Sequence, residues 1–363
     1  MGDADVHWLI EFAAAAERTD RFAGSADHSK LLALGLMGEA GSVLTELKKA
    51  QRERDAYPAY RQKMLEEIGD FLWYLVRLTS VAAPELVAQF DPLSVAPSTR
   101  ATLPLFLDLG AAVGEVLTAI SNNDARAATT ADLLRRIWQV LVEVAREAHV
   151  PLKAAAVGNT QKVSSRWPTT GDRVYAPLFD DASPEEEQLP RRLDIEFRER
   201  SRGVVVLRCN GINFGDRLTD NIEDPDDYRY HDVFHFSYAV HLGWSPVVRS
   251  LLRCKRKSIP KTDEGQDGAR AAILEEAVSA IAFSRGKKLG FFDGKTQVDY
   301  DVLKTIKEFV EGYEVDRIPL WQWEVAILEG FSIFRQLRAN RGGQVILDMP
   351  GHKLSYLAPL PKP

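Results

Sequence analysis

Two stretches decide the reading of this chain: Gly35-Leu-Met-Gly-Glu-Ala-Gly-Ser-Val-Leu-Thr-Glu-Leu-Lys-Lys49 and Met64-Leu-Glu-Glu-Ile-Gly-Asp-Phe-Leu-Trp-Tyr-Leu75. Each sets carboxylates among apolar residues at a three- or four-residue step. Glu39, Ser42 and Glu46 therefore share one helical face, and Glu67 and Asp70 share another. A carboxylate placed among Leu, Val, Ile and Trp is costly unless something positive meets it. Two antiparallel helices that bring Glu39, Glu67 and Asp70 together would make an all-oxygen cage suited to hard Mg²⁺. The competing reading is a set of surface ion pairs with nearby lysines and arginines.

Outward from these helices, residues 1–167 read as helical throughout. Apolar periodicity predicts helices near 6–18, 29–52, 60–80, 104–121, 130–148 and 151–166. Breaks fall at Tyr57-Pro58, Pro84, Asp91-Pro92, Pro97 and Ser121-Asn122-Asn123-Asp124. A weak internal repeat runs through the region. Gly41–Leu47 aligns with Gly114–Ile120, and Met64–Leu72 aligns with Leu133–Leu141. Two such helix pairs would pack as a pseudo-symmetric four-helix bundle, although amphipathic helices also resemble one another by chance. In the second copy Glu39 becomes Ala112, Ser42 becomes Glu115, Glu67 becomes Arg136 and Asp70 becomes Gln139.

A polar, proline-bearing stretch at 168–192 reads as a linker. Beyond it, 193–363 reads as a mostly helical α+β domain. Hairpins are expected at 193–208 and 344–357, with helices near 226–254, 268–287, 299–313 and 319–339. The fold class expected is mainly α: a helical bundle followed by this smaller α+β domain.

The whole chain of 363 residues is 45% hydrophobic and 27% charged with a net charge of −6, an ordinary globular composition. That balance argues against a nucleic-acid partner. Cys209 and Cys254 are spaced like neither a zinc site nor a disulfide framework, which suits a reducing cytoplasm. No uninterrupted apolar run approaches about 18 residues, so a membrane partner is not expected. A homodimer would be one way to cover an apolar bundle face, for which an internal repeat could substitute.

The stretch 31–75 resembles the MazG-like, all-α nucleoside triphosphate pyrophosphohydrolases, whose signature is E-x-x-E, a spacer of about two dozen residues, then E-x-x-D. The segment Val150–Trp167 is similar to that family's closing helix, which would make Asn159, Lys162 and Arg166 counterparts of its Asn, Lys and Arg. The resemblance implies hydrolysis between the α- and β-phosphates of an NTP or dNTP, giving a monophosphate and pyrophosphate, with Mg²⁺ (or Mn²⁺) as cofactor. Glu39, Glu67 and Asp70 are the metal-ligand candidates. The family's second glutamate is Ser42 here, a metal-ligand candidate through its hydroxyl but without charge. Glu46 or Glu115 is therefore a candidate to restore the missing carboxylate, Glu115 as a further metal ligand. Lys48, Lys49, Lys162 and Arg166 are candidates for phosphate contact, and each is equally readable as an ordinary solvated cation. Trp8, Phe12, Trp73 and Tyr74 are candidates to stack on a base, though aromatics at helical spacing commonly form core. Glu66, rotated by about 100° from Glu67, reads as a solvent-facing group or as one that supports the metal ligands from outside. Ser42 and the eroded repeat leave a second possibility, a nucleotide sensor that has lost turnover.

The second half carries its own polar cluster. His231 and His235 lie four apart with Asp232 alongside, and Glu275 and Glu276 interrupt an apolar helix. Two imidazoles and a carboxylate suit a transition metal, and a second metal-dependent phosphohydrolase site is the third possibility. A structural His–Glu network is the plain alternative. The run Arg249–Lys257 reads as a local basic patch or a solvated helix end.

Overall fold

The computed structural model describes residues 7–97, 99–122, 127–169, 171, 173–200 and 203–359. The chain divides into two compact units, 1–172 and 173–363. The stretch expected as a linker therefore belongs largely to the second unit. There Asp180 is buried against Arg249 and the Leu189 amide, and Tyr175 stacks on His352.

The first unit is helical. Its elements are α1 (His7–Arg18), α2 (His28–Glu53), α3 (Tyr60–Ala82), a single turn α4 (Pro84–Val87), α5 (Thr102–Ser121), α6 (Ala127–Glu147) and α7 (Leu152–Arg166). Helix α2 packs on α3 and α5, and α6 packs on α5 and α3. The two pairs thus close a ring of four around one apolar core. This is the arrangement the sequence repeat predicts. Inward faces come from residues such as Leu36, Val43, Ile68, Leu72, Leu109, Val113, Ile137 and Leu141, all essentially inaccessible. Helix α5 is long and apolar enough by composition to cross a membrane, beyond what the uninterrupted runs suggest. Here it buries Leu105, Phe106, Leu109 and Val113 in this core.

Two glycines set how closely the helices meet. A Cβ on Gly69 would lie 2.6 Å from the Ala155 carbonyl oxygen, so only glycine lets α7 approach α3 at that level. A Cβ on Gly35 would strike the Tyr74 ring, which crosses α2 there.

The second unit has a five-stranded antiparallel sheet in the order β3-β2-β1-β4-β5. The strands are β1 (Arg192–Arg200), β2 (Val204–Cys209), β3 (Ile212–Leu218), β4 (Gly342–Asp348) and β5 (Lys353–Leu357). Both expected hairpins are present, and the turn residues 201–202 lie outside the described residues. Strand β3 was not legible, nor was the pairing that joins the hairpins. Ile195 lies opposite Val345, and Leu193 opposite Leu347.

Helices α8 (Asp232–Leu242), α9 (Pro246–Leu252), α10 (Pro260–Gly265), α11 (Ala269–Lys288), α12 (Tyr300–Phe309) and α13 (Leu320–Asn340) complete the unit. Helices α8 and α13 cross closely at Gly330, where Ser237 Oγ donates to the Ala326 carbonyl at 2.6 Å. The single helix expected over 226–254 is broken. Gly243 at φ +65° ends α8, and Ser245 caps α9 by accepting from the Val248 amide, with Pro246 in its first turn. The basic run also reads differently in three dimensions. Arg249 and Arg256 are buried and ion-paired with Asp180 at 2.6 Å and Asp267 at 2.7 Å, so they are core groups rather than a solvated patch.

Candidate metal centre

On α2 and α3 the expected carboxylates converge. One oxygen from each of Glu39, Glu67 and Asp70 lies within 4.8 Å of the others, and all three residues are half-buried. Helix α7 supplies the facing side. Asn159 Nδ2 donates to Asp70 Oδ1 at 2.7 Å, and Lys162 Nζ donates to both Asp70 carboxylate oxygens. Gly69, one residue before Asp70, makes this approach possible.

The electrostatics follow from crowding. Burial, with the charges of Asp70 and Glu67 adding to it, pushes the Glu39 carboxyl up to about 7; the Lys162 ammonium pulls it back. Burial and mutual repulsion thus let Glu39 retain a proton near neutrality. A divalent cation would relieve that repulsion, and the all-oxygen donor set selects a hard ion, so these residues fit Mg²⁺.

Beside the cluster, Gln62, Leu65, Glu66, Asp70, Gly158, Asn159 and Lys162 line a groove of about 210 Å³. Glu66 belongs to this wall, with Oε1 3.8 Å from Lys162. Its rotation from Glu67 carries it toward α7 rather than only into solvent, which no one-dimensional pattern reveals.

The other sequence candidates fall elsewhere. Glu46 is buried but does not join the three carboxylates. It accepts from Lys49 Nζ at 2.6 Å and from the Tyr57 hydroxyl, and although burial works the other way, these bonds hold its carboxyl below the usual range. Lys49 is thus engaged by Glu46, while Lys48 is exposed. Glu115 is paired with Arg136 at 2.8 Å and does not reach the cluster. Ser42 is half-buried one turn beyond Glu39. Arg166 lies one turn after Lys162 on α7, over the Trp167 ring at 4.6 Å. Trp8 and Phe12 pack in or against the bundle core. Trp73 donates to Thr19 Oγ1 at 3.2 Å, and Tyr74 meets Trp73 edge-on.

The second unit holds a separate cluster on α8 and α11. Ligand-capable atoms of His231, Asp232 and His235, all buried, lie within 4.8 Å of one another. Glu276 reaches across from α11, 3.3 Å from His235 Nε2 and 3.7 Å from His231 Nε2. Glu275 is fully buried and saturated, accepting from His235 Nδ1 at 2.8 Å, Ser245 Oγ at 2.6 Å and the Val247 amide at 2.8 Å. Burial alone would depress the His235 imidazole, but Glu275 and Glu276 raise it well above its ordinary value. Burial likewise raises the Asp232 carboxyl, against the pull of the two histidines.

A helical bundle with an acidic cluster between two helices, joined to an α+β unit, is the class these observations define. The family model described as MazG C-terminal domain matches residues 174–360, more than half of the chain. This chain belongs to that family, and the match begins where the second compact unit does. The comparison with curated proteins and that with solved structures gave no match.

Proposed function

We propose that the first unit is a Mg²⁺-dependent nucleoside triphosphate pyrophosphohydrolase, releasing a nucleoside monophosphate and pyrophosphate. The observation that supports it is the convergence of Glu39, Glu67 and Asp70 beside the cations of α7. Membership in a MazG-related family and the resemblance of 31–75 to the pyrophosphohydrolase motif point the same way.

Glu39, Glu67 and Asp70 would hold the ion. Bound there, Mg²⁺ would neutralise phosphate oxygens and acidify a water. The chain's own groups do the rest. Asn159 fixes the orientation of Asp70, so the carboxylate need not reorganise when substrate arrives. Lys162 is ion-paired with Asp70 and stands on the groove wall, where its ammonium would meet a phosphate oxygen. Arg166, one turn on, extends the cationic edge along α7. Glu66, outside the triad and on the groove wall, is the carboxylate placed to draw the proton from an attacking water.

The test is a panel of NTPs and dNTPs with Mg²⁺, read as pyrophosphate release. Asp70→Asn should reduce release by on the order of 10²–10³-fold, the scale on which one lost electrostatic stabiliser acts. Absence of any Asp70-dependent pyrophosphate overturns the proposal. Nucleotide binding without release, unchanged by Ser42→Glu, would instead mark a nucleotide sensor.

A further inference from the structure

We infer that the second unit carries a transition-metal site of its own, formed by His231, Asp232 and His235 at the start of α8 and by Glu276 of α11. Three independent features of the geometry lead to it.

The first is the spacing of donors. Ligands at about 2.0–2.1 Å from a tetrahedral ion stand about 3.3–3.4 Å from each other. His231 Nε2 lies 3.3 Å from Asp232 Oδ1, and His235 Nε2 lies 3.3 Å from Glu276 Oε1. A third pair, His231 Nε2 and Glu276 Oε2, is at 3.7 Å.

The second is how the rings are held. A ligating histidine commonly donates its other ring N–H to a carbonyl or carboxylate, which fixes the ring and leaves the inner nitrogen for the metal. Both histidines do this. His231 Nδ1 lies 2.9 Å from the Tyr228 carbonyl, which can only accept, and its ring is stacked on Tyr228 at 4.2 Å. His235 Nδ1 is bound to Glu275, itself locked by Ser245 and the Val247 amide. Both Nε2 atoms consequently face Glu276.

The third is a poorly satisfied atom. His235 is completely buried, and its Nε2 meets Glu276 Oε1 at 3.3 Å as an ion pair without good hydrogen-bond alignment. A metal ion held between the two would satisfy both donor atoms better than this direct contact does. Two imidazoles with two carboxylates suit a borderline first-row ion such as Zn²⁺, Fe²⁺, Co²⁺ or Ni²⁺, unlike the all-oxygen cluster of the first unit. Glu276, the one member with a substantially exposed side chain, marks the edge at which a solvent ligand would enter.

The test uses the full chain carrying Asp70→Asn, so the outcome does not depend on the first unit's metal cluster. After chelator stripping, it is titrated with Co²⁺ and followed by visible ligand-field absorption and bound-metal analysis. One Co²⁺ per chain is expected, displaced by Zn²⁺. His235→Gln and Glu276→Gln should abolish it. Glu275→Gln, which removes only the outer partner, should weaken it about 10–100-fold. Should His235→Gln not fold, Glu276→Gln decides, because its side chain is half in solvent and its folding can be verified by circular dichroism. Absence of bound Co²⁺ and Zn²⁺, or equal affinity in a folded Glu276→Gln chain, overturns the inference.

Discussion

The pairs α2/α3 and α5/α6 place equivalent positions on equivalent helices, and the two solve the same electrostatic problem in opposite ways. In the first pair Glu39, Glu67 and Asp70 face one another, with Lys162 arriving from a different helix. In the second, Arg136 replaces Glu67 and lies 2.8 Å from Glu115, the residue at the position of Ser42, and 2.7 Å from Asp108. Arg100 adds a second guanidinium, bridging Asp108 and Glu143. The carboxyl shifts have opposite signs as a result. Glu39 is raised to about 7, whereas Asp108, although burial works against it, is held below the ordinary range by Arg100 and Arg136. One copy is closed by built-in cations; in the other, crowding of the carboxylates raises Glu39, the condition that favours taking a cation from solution.

The largest break in this comparison should come from Gly69→Ala. The new methyl would meet the Ala155 carbonyl at 2.6 Å, and backbone cannot swing aside as a side chain can. Helix α7 must retreat, carrying Asn159 and Lys162 away from Asp70. Pyrophosphate release is expected to fall on the order of 10²-fold, with a destabilisation of about 1–3 kcal/mol from overpacking, measured by denaturant melts.

The opposed carboxyl shifts give a pH test. For Glu39 the folded protein holds its proton more tightly than the unfolded chain. Its contribution to stability is therefore complete below about 4.5 and is lost as pH rises to about 7. Without divalent ions, the melting temperature should contain a component that declines over this window. Mg²⁺ should diminish it, and Glu39→Gln should remove it. For Asp108 the sign reverses. Its contribution is present above the ordinary carboxylate value and is lost only as pH falls below it.

A smaller effect is expected from Arg136→Met. Its ion pairs are substantially exposed, so the cost should stay near or below about 1 kcal/mol by thermal melts, with pyrophosphate release unchanged. The mildest is Ser42→Glu, which adds a carboxylate one turn from Glu39. Mn²⁺ affinity, followed by titration calorimetry, should rise modestly; a decrease would show that the three existing carboxylates already complete the shell.

Much of the architecture was legible because helix periodicity and its interruptions are local. The helices of the first unit begin and end within a few residues of their apolar patterns, and the acidic spacing announced the cluster. Glu46 illustrates the limit. Its spacing from Ser42 places it on the acidic face, but Tyr57 and Lys49 engage it, and the Tyr57 contact arises only when the turn after α2 folds back. Glu66 shows the converse, drawn into the groove by a helix more than eighty residues away.

Sequence alone determined the helices of the bundle and which carboxylates could meet, since these depend on side-chain period and on the cost of leaving charge among apolar residues. Tertiary structure decided which charges are answered by protein and which are not. It set Lys162 on Asp70, buried Arg249 and Arg256 in the second unit's core, and joined two separate hairpins through β1 and β4. Counter-charge and strand pairing are supplied by partners far along the chain, and only close packing of distant segments selects them.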